Sequence, residues 1–119
     1  MINGINSREM ILEILLEIEE GEHSHVAIRN ALSKYQFLPK QDRAFITRVC
    51  EGTLENRIQI DYIINSFSKV TVDKMKPAIR EILRSAVYQL KYMDSVPDSA
   101  VCNEAVKLAQ RKGFYNLKP

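Results

Sequence analysis

The sequence has few of the residues that build disulfide frameworks, tight loops or phosphate-binding turns. Its 119 residues include two cysteines, four prolines, four glycines and no tryptophan. Cys50 and Cys102 lie far apart and form no CxxC pair, so they are predicted to be reduced, half-buried helix residues of a cytosolic protein. Four glycines scattered singly exclude a glycine-rich phosphate loop, a GxGxxG fingerprint and a nucleophile elbow.

Long apolar runs are also missing. The most apolar stretch, residues 10–18, is interrupted by Glu13 and Glu17, and no segment reaches the length required to cross a bilayer. The first residues lack a basic segment followed by an apolar core, which argues against a signal peptide. The sequence therefore predicts a cytoplasmic protein with no membrane partner.

The charge is unevenly distributed along the chain. Residues 1–38 contain three Lys/Arg and six Asp/Glu, a net charge of −3, whereas residues 39–119 contain fourteen and nine, a net charge of +5. An acidic front and a basic remainder are consistent with one face offered to an anion such as RNA. Solvated helix faces without a target explain the same charge equally well.

Apolar residues recur at helical spacing throughout the chain, with no strand pattern. Helices are predicted to begin at Asn6 or Ser7, after Ser24, at Lys40, near Ile60, at Pro77 and at Pro97. The predicted inward stripes of the first, fourth, fifth and sixth helices are Met10, Ile11, Ile14, Leu15 and Ile18; Ile60, Ile63, Ile64 and Phe67; Ile79, Ile82, Leu83, Ala86, Val87 and Leu90; and Val101, Ala105, Leu108 and Ala109. The predicted fold class is all-α, a bundle of about six helices in one domain over residues 1–119.

Three further features refine this prediction. Gly21 and Gly113 are suited to ending the first and sixth helices, and residues 70–73 are predicted to form a loop. Gly52 lies inside the third helix, where glycine costs ~1 kcal/mol relative to alanine. We therefore expect another helix to cross closely at Gly52.

Catalytic chemistry has no support in the sequence. His23 and His25 are the only histidines, and no third or fourth metal ligand is evident near them. Neither cysteine has a paired base that spacing would reveal. We predict no catalytic residue, no metal site and no cofactor for this chain.

The order of several short segments resembles the NusB-like RNA-binding fold over nearly the whole chain, from about Asn6 to Pro119. The matching segments are Asp42-Arg43 with Phe45, Glu51-Gly52-Thr53-Leu54 with Ile60-Asp61, Pro77 with Ile79-Arg80-Glu81-Ile82-Leu83-Arg84, Tyr88-Gln89-Leu90, and Val96-Pro97 with Asn103-Glu104-Ala105-Val106. Within this family the pattern is more similar to the N-terminal domain of bacterial ribosomal RNA small-subunit methyltransferase B than to the free-standing antitermination factor. The antitermination factors carry an arginine-rich N-terminus, where this chain has Arg8 alone.

The resemblance implies an RNA-binding accessory domain that orients small-subunit (16S) rRNA for a C-terminal catalytic domain, an S-adenosylmethionine-dependent cytosine-5 methyltransferase. The catalytic cysteines and the S-adenosylmethionine site would belong to that domain, which is outside this chain. The family's last helix is missing after Pro119, so we expect a truncated bundle with an exposed apolar groove that a second copy would cover as a homodimer. The candidate RNA-binding residues are Arg8, Arg43, Arg80 and Arg84.

Two alternatives stay open at this stage. In the first alternative, the chain is a free-standing antitermination factor that binds RNA together with a ribosomal protein. In the second, it is a bundle that serves only protein docking or dimerisation, without RNA contact. Arg80 and Arg84 are four residues apart and share one helix face. For each candidate arginine, RNA contact and structural pairing are both compatible with the sequence.

Overall fold

The computed structural model describes residues 6–113, and within that range the chain forms six α-helices, one short 3₁₀ helix and no strand. The α-helices are α1 (Ser7–Glu19), α2 (Ser24–Lys34), α3 (Lys40–Glu55), α4 (Arg57–Phe67), α5 (Pro77–Tyr92) and α6 (Asp98–Arg111), and the 3₁₀ helix is Val72–Lys74. The all-α prediction of about six helices is confirmed.

The helix ends follow the predicted local chemistry. The Asn6 side chain accepts a hydrogen bond of 2.7 Å from the Glu9 N–H and caps α1, as expected for an asparagine at this position. Gly21 and Gly113, just beyond α1 and α6, have φ angles of +116° and +90°, which glycine adopts without steric cost. Pro77 occupies the first turn of α5, where its missing N–H leaves no helical bond unmade.

The first helix lies at the centre of the bundle and packs against α2, α3, α5 and α6. One side of α1 joins the main core through Met10, Ile11, Ile14 and Leu15. Leu12 instead packs with Ile82, Leu108 and Ala109 in a second cluster between α1, α5 and α6. The sequence predicted only the first of these two faces, because a single stripe is typical of a surface helix.

Gly52 marks the predicted close crossing, and the structure confirms it. A Cβ added at Gly52 would overlap the phenol ring of Tyr88 in α5. Gly52 and Thr53 are both buried in α3, and Tyr88 is only 6% exposed. The glycine therefore allows the Tyr88 ring to lie against the α3 backbone.

Several burial predictions were wrong. Phe67 is 89% exposed because it ends α4, beyond the last turn that the core covers, and Leu90 is 38% exposed on the outer side of α5. Neither cysteine is half-buried, since Cys50 is fully buried and Cys102 is exposed. The predicted loop at residues 70–73 includes the start of the 3₁₀ helix, where the buried Val72 joins the core.

An apolar groove of about 160 Å³ lies between α5 and α6. It is lined by Ile79, Ile82, Leu83, Ala105, Val106 and Ala109. A groove of this character was expected from the resemblance, and its cover by a second copy stays a prediction. Among the helices of residues 6–113, none is both long and apolar enough to cross a membrane.

Candidate functional site

Three of the four predicted arginines lie near the ends of α1, and Arg43 lies beside the end of α2. Arg8 belongs to the first turn of α1, and Arg43 to the first turn of α3. Arg80 contacts Glu19 at the last residue of α1, and Arg84 lies one turn further along α5. Because a helix rises 1.5 Å per residue, Arg8 and Glu19 are separated by about 16 Å along α1. The structure therefore brings Arg80 and Arg84 together, while Arg8 and Arg43 lie apart from them and have different partners.

Arg80 is held on both sides of its guanidinium group. Its Nε donates to Glu19 Oε2 at 3.1 Å, and its Nη2 donates to Glu19 Oε1. Its Nη1 donates to the carbonyl oxygens of Val72 and Met75, at 2.9 and 3.0 Å. Arg80 thereby ties the segment before α5 to the end of α1.

Arg84 is buried and makes a bidentate ion pair with Asp61 of α4. Its Nε and Nη2 donate to the two carboxylate oxygens at 2.8 Å each, the planar geometry that suits arginine and carboxylate. Its Nη1 donates to Glu81 Oε2 at 2.7 Å. Only 10% of the Arg84 side chain and 5% of the Glu81 side chain are exposed, so Arg84 and Glu81 lie inside the bundle.

The two glutamates beside these arginines have opposite pKa shifts. Burial raises the pKa of Glu81 to about 8, and the neighbouring Glu19 adds to this rise, while Arg84 opposes it. Burial also disfavours the charged form of Glu19, but hydrogen bonds from Arg80 outweigh it and lower the pKa of Glu19 to about 2. The raised pKa of Glu81 favours its protonated form, and the lowered pKa of Glu19 favours its ionised form.

Arg8 and Arg43 make fewer internal contacts. Arg8 Nε donates to Gln89 Oε1 at 3.1 Å, and its Cζ lies 5.2 Å from the centre of the Phe45 ring. Arg43 Nη1 donates to the carbonyl oxygens of Leu32 and Tyr35, both at 3.1 Å, at the end of α2. Burial lowers the pKa of Arg8, and the charge of Glu104 partly offsets this effect.

The number of unused N–H groups separates Arg8 and Arg43 from Arg80 and Arg84. An arginine has five N–H donors. Arg80 makes four of the hydrogen bonds described here and Arg84 makes three, whereas Arg8 makes one and Arg43 makes two. Arg8 and Arg43 therefore retain the larger number of donors for an external acceptor.

A shallow groove of about 580 Å³ lies along α3. Lys40, Arg43 and Arg48 line one end, and Glu51 and Glu55 line the other. The predicted site residues did not include Lys40 or Arg48, although both are exposed and carry the charge that an anion requires. Their spacing with Arg43 on one predicted helix was the signal that would have identified them.

Residues 6–113 contain no group of three or more metal-ligating side chains. Burial raises the pKa of Cys50 to about 12, so this thiol stays protonated and is a poor nucleophile. The exposed rings of His23 and His25 stack with their centres 6.0 Å apart. Within residues 6–113, the buried Cys50 thiol is therefore not brought together with the exposed His23 and His25 as a nucleophile and its base.

Comparison with known proteins identifies related sequences. The family model for the NusB family matches residues 5–118 of this chain. The probable ribosomal RNA small subunit methyltransferases B of Bacillus subtilis and Synechocystis are 32% and 33% identical over 92% and 95% of this chain. The chain spans only 24% and 25% of the length of these two proteins.

Antitermination proteins match as well. The transcription antitermination protein NusB of Acetivibrio thermocellus is 32% identical over 87% of this chain and 72% of its own length. Among solved structures, a complex of antitermination factors NusB and NusE with dsRNA gives a TM-score of 0.82 at 17% identity, covering 92% of this chain and 82% of the other. At this identity, the structural match supports the fold alone.

Proposed function

Because this chain belongs to the NusB family, we propose that it is the RNA-binding accessory domain of an S-adenosylmethionine-dependent 16S rRNA cytosine-5 methyltransferase. The observation that carries this proposal is the match to two methyltransferases over 92% and 95% of this chain. In this proposal the chain is a non-catalytic part of the enzyme. Its partners are small-subunit rRNA and the enzyme's own C-terminal catalytic domain, which would bind S-adenosylmethionine.

The RNA contact in this proposal begins with Arg8 and Arg43, because they retain most of their N–H donors. The exposed Lys40 and Arg48 extend the positive charge along the groove beside Arg43. Contacts of this kind bind phosphates, so they position RNA without reading its sequence. Arg80 and Arg84 remain weaker candidates, because carboxylates and backbone carbonyls accept hydrogen bonds from most of their donors.

The salt dependence of RNA binding tests this role directly. Fluorescence anisotropy would measure the affinity of the 119-residue chain for a labelled small-subunit rRNA fragment at several salt concentrations. If about three phosphates are neutralised, log K plotted against log salt should have a slope near −2 for single-stranded RNA. Arg8→Gln and Arg43→Gln should each reduce the slope by about 0.7.

The matched control is Arg29→Gln, because Arg29 is exposed on α2 and lies outside the groove. We expect this variant to leave the slope unchanged. A slope of zero for every rRNA fragment would remove the proposed role.

A second candidate function is a free-standing antitermination factor that binds RNA with a ribosomal protein. The specific observation in its favour is the match to 72% of the Acetivibrio thermocellus antitermination protein. This alternative predicts that a ribosomal protein increases the affinity of the chain for a short leader RNA. The methyltransferase proposal predicts no such increase, and it predicts that the coding sequence continues into a catalytic domain.

A further inference from the structure

The Tyr88 hydroxyl is a polar group on a buried side chain and has no protein partner in the described part of the chain. Tyr88 is 6% exposed, and its ring stacks on the ring of Tyr92, with the two ring centres 5.2 Å apart. The Tyr92 hydroxyl donates to Gln59, whereas within residues 6–113 no hydrogen bond joins the Tyr88 hydroxyl to another group. Because a buried tyrosine usually satisfies its O–H, this hydroxyl needs an explanation.

Gly52 leaves the Tyr88 hydroxyl open to the shallow groove along α3. Both residues line that groove. A Cβ added at Gly52 would overlap the Tyr88 ring carbon Cζ and the hydroxyl oxygen, so the hydroxyl end of the ring lies against the α3 backbone. A side chain at position 52 would cover the hydroxyl, and glycine does not. The Tyr88 O–H is therefore available to a ligand in the groove.

The groove is acidic at the level of this hydroxyl. Glu51 and Glu55 line the groove around Gly52, and both are exposed. Neither glutamate is in an ion pair with another residue of the described range. These carboxylates repel a phosphate placed beside Tyr88. A neutral hydroxyl group suits the position, because it can accept from the Tyr88 O–H and donate to a carboxylate.

We propose that Tyr88 and Glu51 bind a ribose 2′-hydroxyl of the RNA and make this domain prefer RNA to DNA. The 2′-hydroxyl is both a donor and an acceptor, and it is the group by which a protein distinguishes the two nucleic acids. Carboxylates bind ribose hydroxyls in dinucleotide-binding proteins as well. Here the Tyr88 O–H donates to the 2′-oxygen, and the 2′-hydroxyl donates to the Glu51 carboxylate.

The basic end of the groove binds the phosphates of the same strand. Arg48 lies one turn before Gly52, about 6 Å along α3, a separation that one nucleotide spans between its phosphate and its ribose hydroxyl. An RNA strand thereby accounts for both halves of the groove, with phosphates at the basic half and a ribose at the acidic half. This inference rests on the RNA-binding function proposed above, and it adds two residues that determine specificity.

Two strands that differ only in the 2′-hydroxyl test the inference. Fluorescence anisotropy would compare a labelled single-stranded rRNA fragment with a DNA strand of the same sequence that keeps uracil in place of thymine. Wild type should bind the RNA strand more tightly than the DNA strand. Tyr88→Phe should lower the RNA affinity by about three- to tenfold, the range that one hydrogen bond contributes, and should leave the DNA affinity unchanged.

Tyr92→Phe is the matched control, because it removes a hydroxyl from the same helix. That hydroxyl donates to Gln59, and neither Tyr92 nor Gln59 lines the groove. The control should leave the affinities for both strands unchanged. Tyr88→Phe keeps the ring that packs against Gly52, so its circular dichroism spectrum and urea midpoint should match those of wild type.

Glu51→Ala provides a second variant at an exposed position, where the fold is not at risk. Loss of its negative charge should strengthen the binding of both strands. The ratio of RNA affinity to DNA affinity should nevertheless fall, because the alanine cannot accept from the 2′-hydroxyl. An unchanged ratio in both Glu51→Ala and Tyr88→Phe would overturn the proposal.

The salt dependence separates failure of this inference from failure of the proposed function. Tyr88→Phe changes no charge, so the slope of log K against log salt should stay at its wild-type value, whereas Arg43→Gln should reduce it. Equal wild-type affinities for RNA and DNA would overturn the ribose contact and leave RNA binding intact. An equal loss for both strands in Tyr88→Phe would overturn it too and assign the hydroxyl to a phosphate. If neither strand binds, both proposals fail.

Discussion

Beside the last turn of α1, Arg80 and Arg84 make seven hydrogen bonds to other groups of the protein. Arg8, in the first turn of α1, and Arg43, beside the end of α2, together make three. The residue type is the same, so the surroundings decide the difference. Glu19, Asp61 and Glu81 surround Arg80 and Arg84, whereas Arg8 meets one amide and Arg43 meets two carbonyls at the end of α2. Carboxylate neighbours from distant segments determine whether an arginine stabilises the fold or remains available to a ligand.

Removing Arg84 should have the largest effect on stability. Arg84→Ala removes the common partner of the buried Glu81 and the half-buried Asp61. Breaking a buried pair by removing one member costs about 3–5 kcal/mol, and urea denaturation followed by circular dichroism would measure the loss. The exposed Arg29→Ala on α2 is the control, with an expected change within about 0.5 kcal/mol. A loss below about 1 kcal/mol for Arg84→Ala would contradict the structural role assigned to this end of α1.

Gly52→Ala should weaken the crossing of α3 and α5. The added methyl group overlaps the Tyr88 ring, and overpacking of this kind costs about 1–3 kcal/mol. A double-mutant cycle with Tyr88→Leu provides the check by denaturant unfolding. Tyr88→Leu removes the ring atoms that the added methyl group would overlap. Gly52→Ala should therefore cost less stability in the Tyr88→Leu background than in the wild type. If the two losses of stability simply add, contact with the Tyr88 ring is not the reason for glycine at position 52.

Glu81 should make stability depend on pH between about 4.5 and 8. The ordinary pKa of Glu81 is 4.5 and its folded value is about 8, so in that range the folded chain retains a proton that the unfolded chain loses. The free energy of unfolding should therefore fall as pH rises through this window. Glu19 has the opposite shift, to about 2, so its contribution is lost as pH falls from about 4.5 to 2.

Glu81→Gln provides the comparison for this pH dependence. The amide does not titrate, so the decline in stability between pH 4.5 and 8 should become shallower while the acid limb from Glu19 persists. Thermal unfolding at a series of pH values would measure both limbs. If the decline in stability is unchanged in Glu81→Gln, a titrating group other than Glu81 causes it.

Local sequence signals predicted the helices well, and they did not predict the partners of the arginines. Asn6, Pro77 and Gly113 act within one turn of their own position, so their effects follow from the sequence. The Gly52 crossing was also predicted, because a glycine inside a helix needs a reason. Asp61 and Arg84 are 23 residues apart, and no periodicity relates them. Phe67 was placed wrongly because helical spacing does not show where the core ends.

The smallest expected effect on stability is that of Arg8→Gln, in the first turn of α1. The substitution removes the contact with the Phe45 ring and one hydrogen bond to Gln89. Arg8 and Phe45 are both half-buried. A cation–π contact contributes about 0.5–2 kcal/mol, depending on its exposure, so denaturant unfolding should show a loss of about 1 kcal/mol. The same variant should weaken RNA binding, because Arg8 makes a single hydrogen bond to Gln89 and keeps N–H donors for an external acceptor. If Arg8→Gln destabilised the chain as much as Arg84→Ala does, the two ends of α1 would not differ, and the assignment of RNA contact to Arg8 and Arg43 would lose its basis.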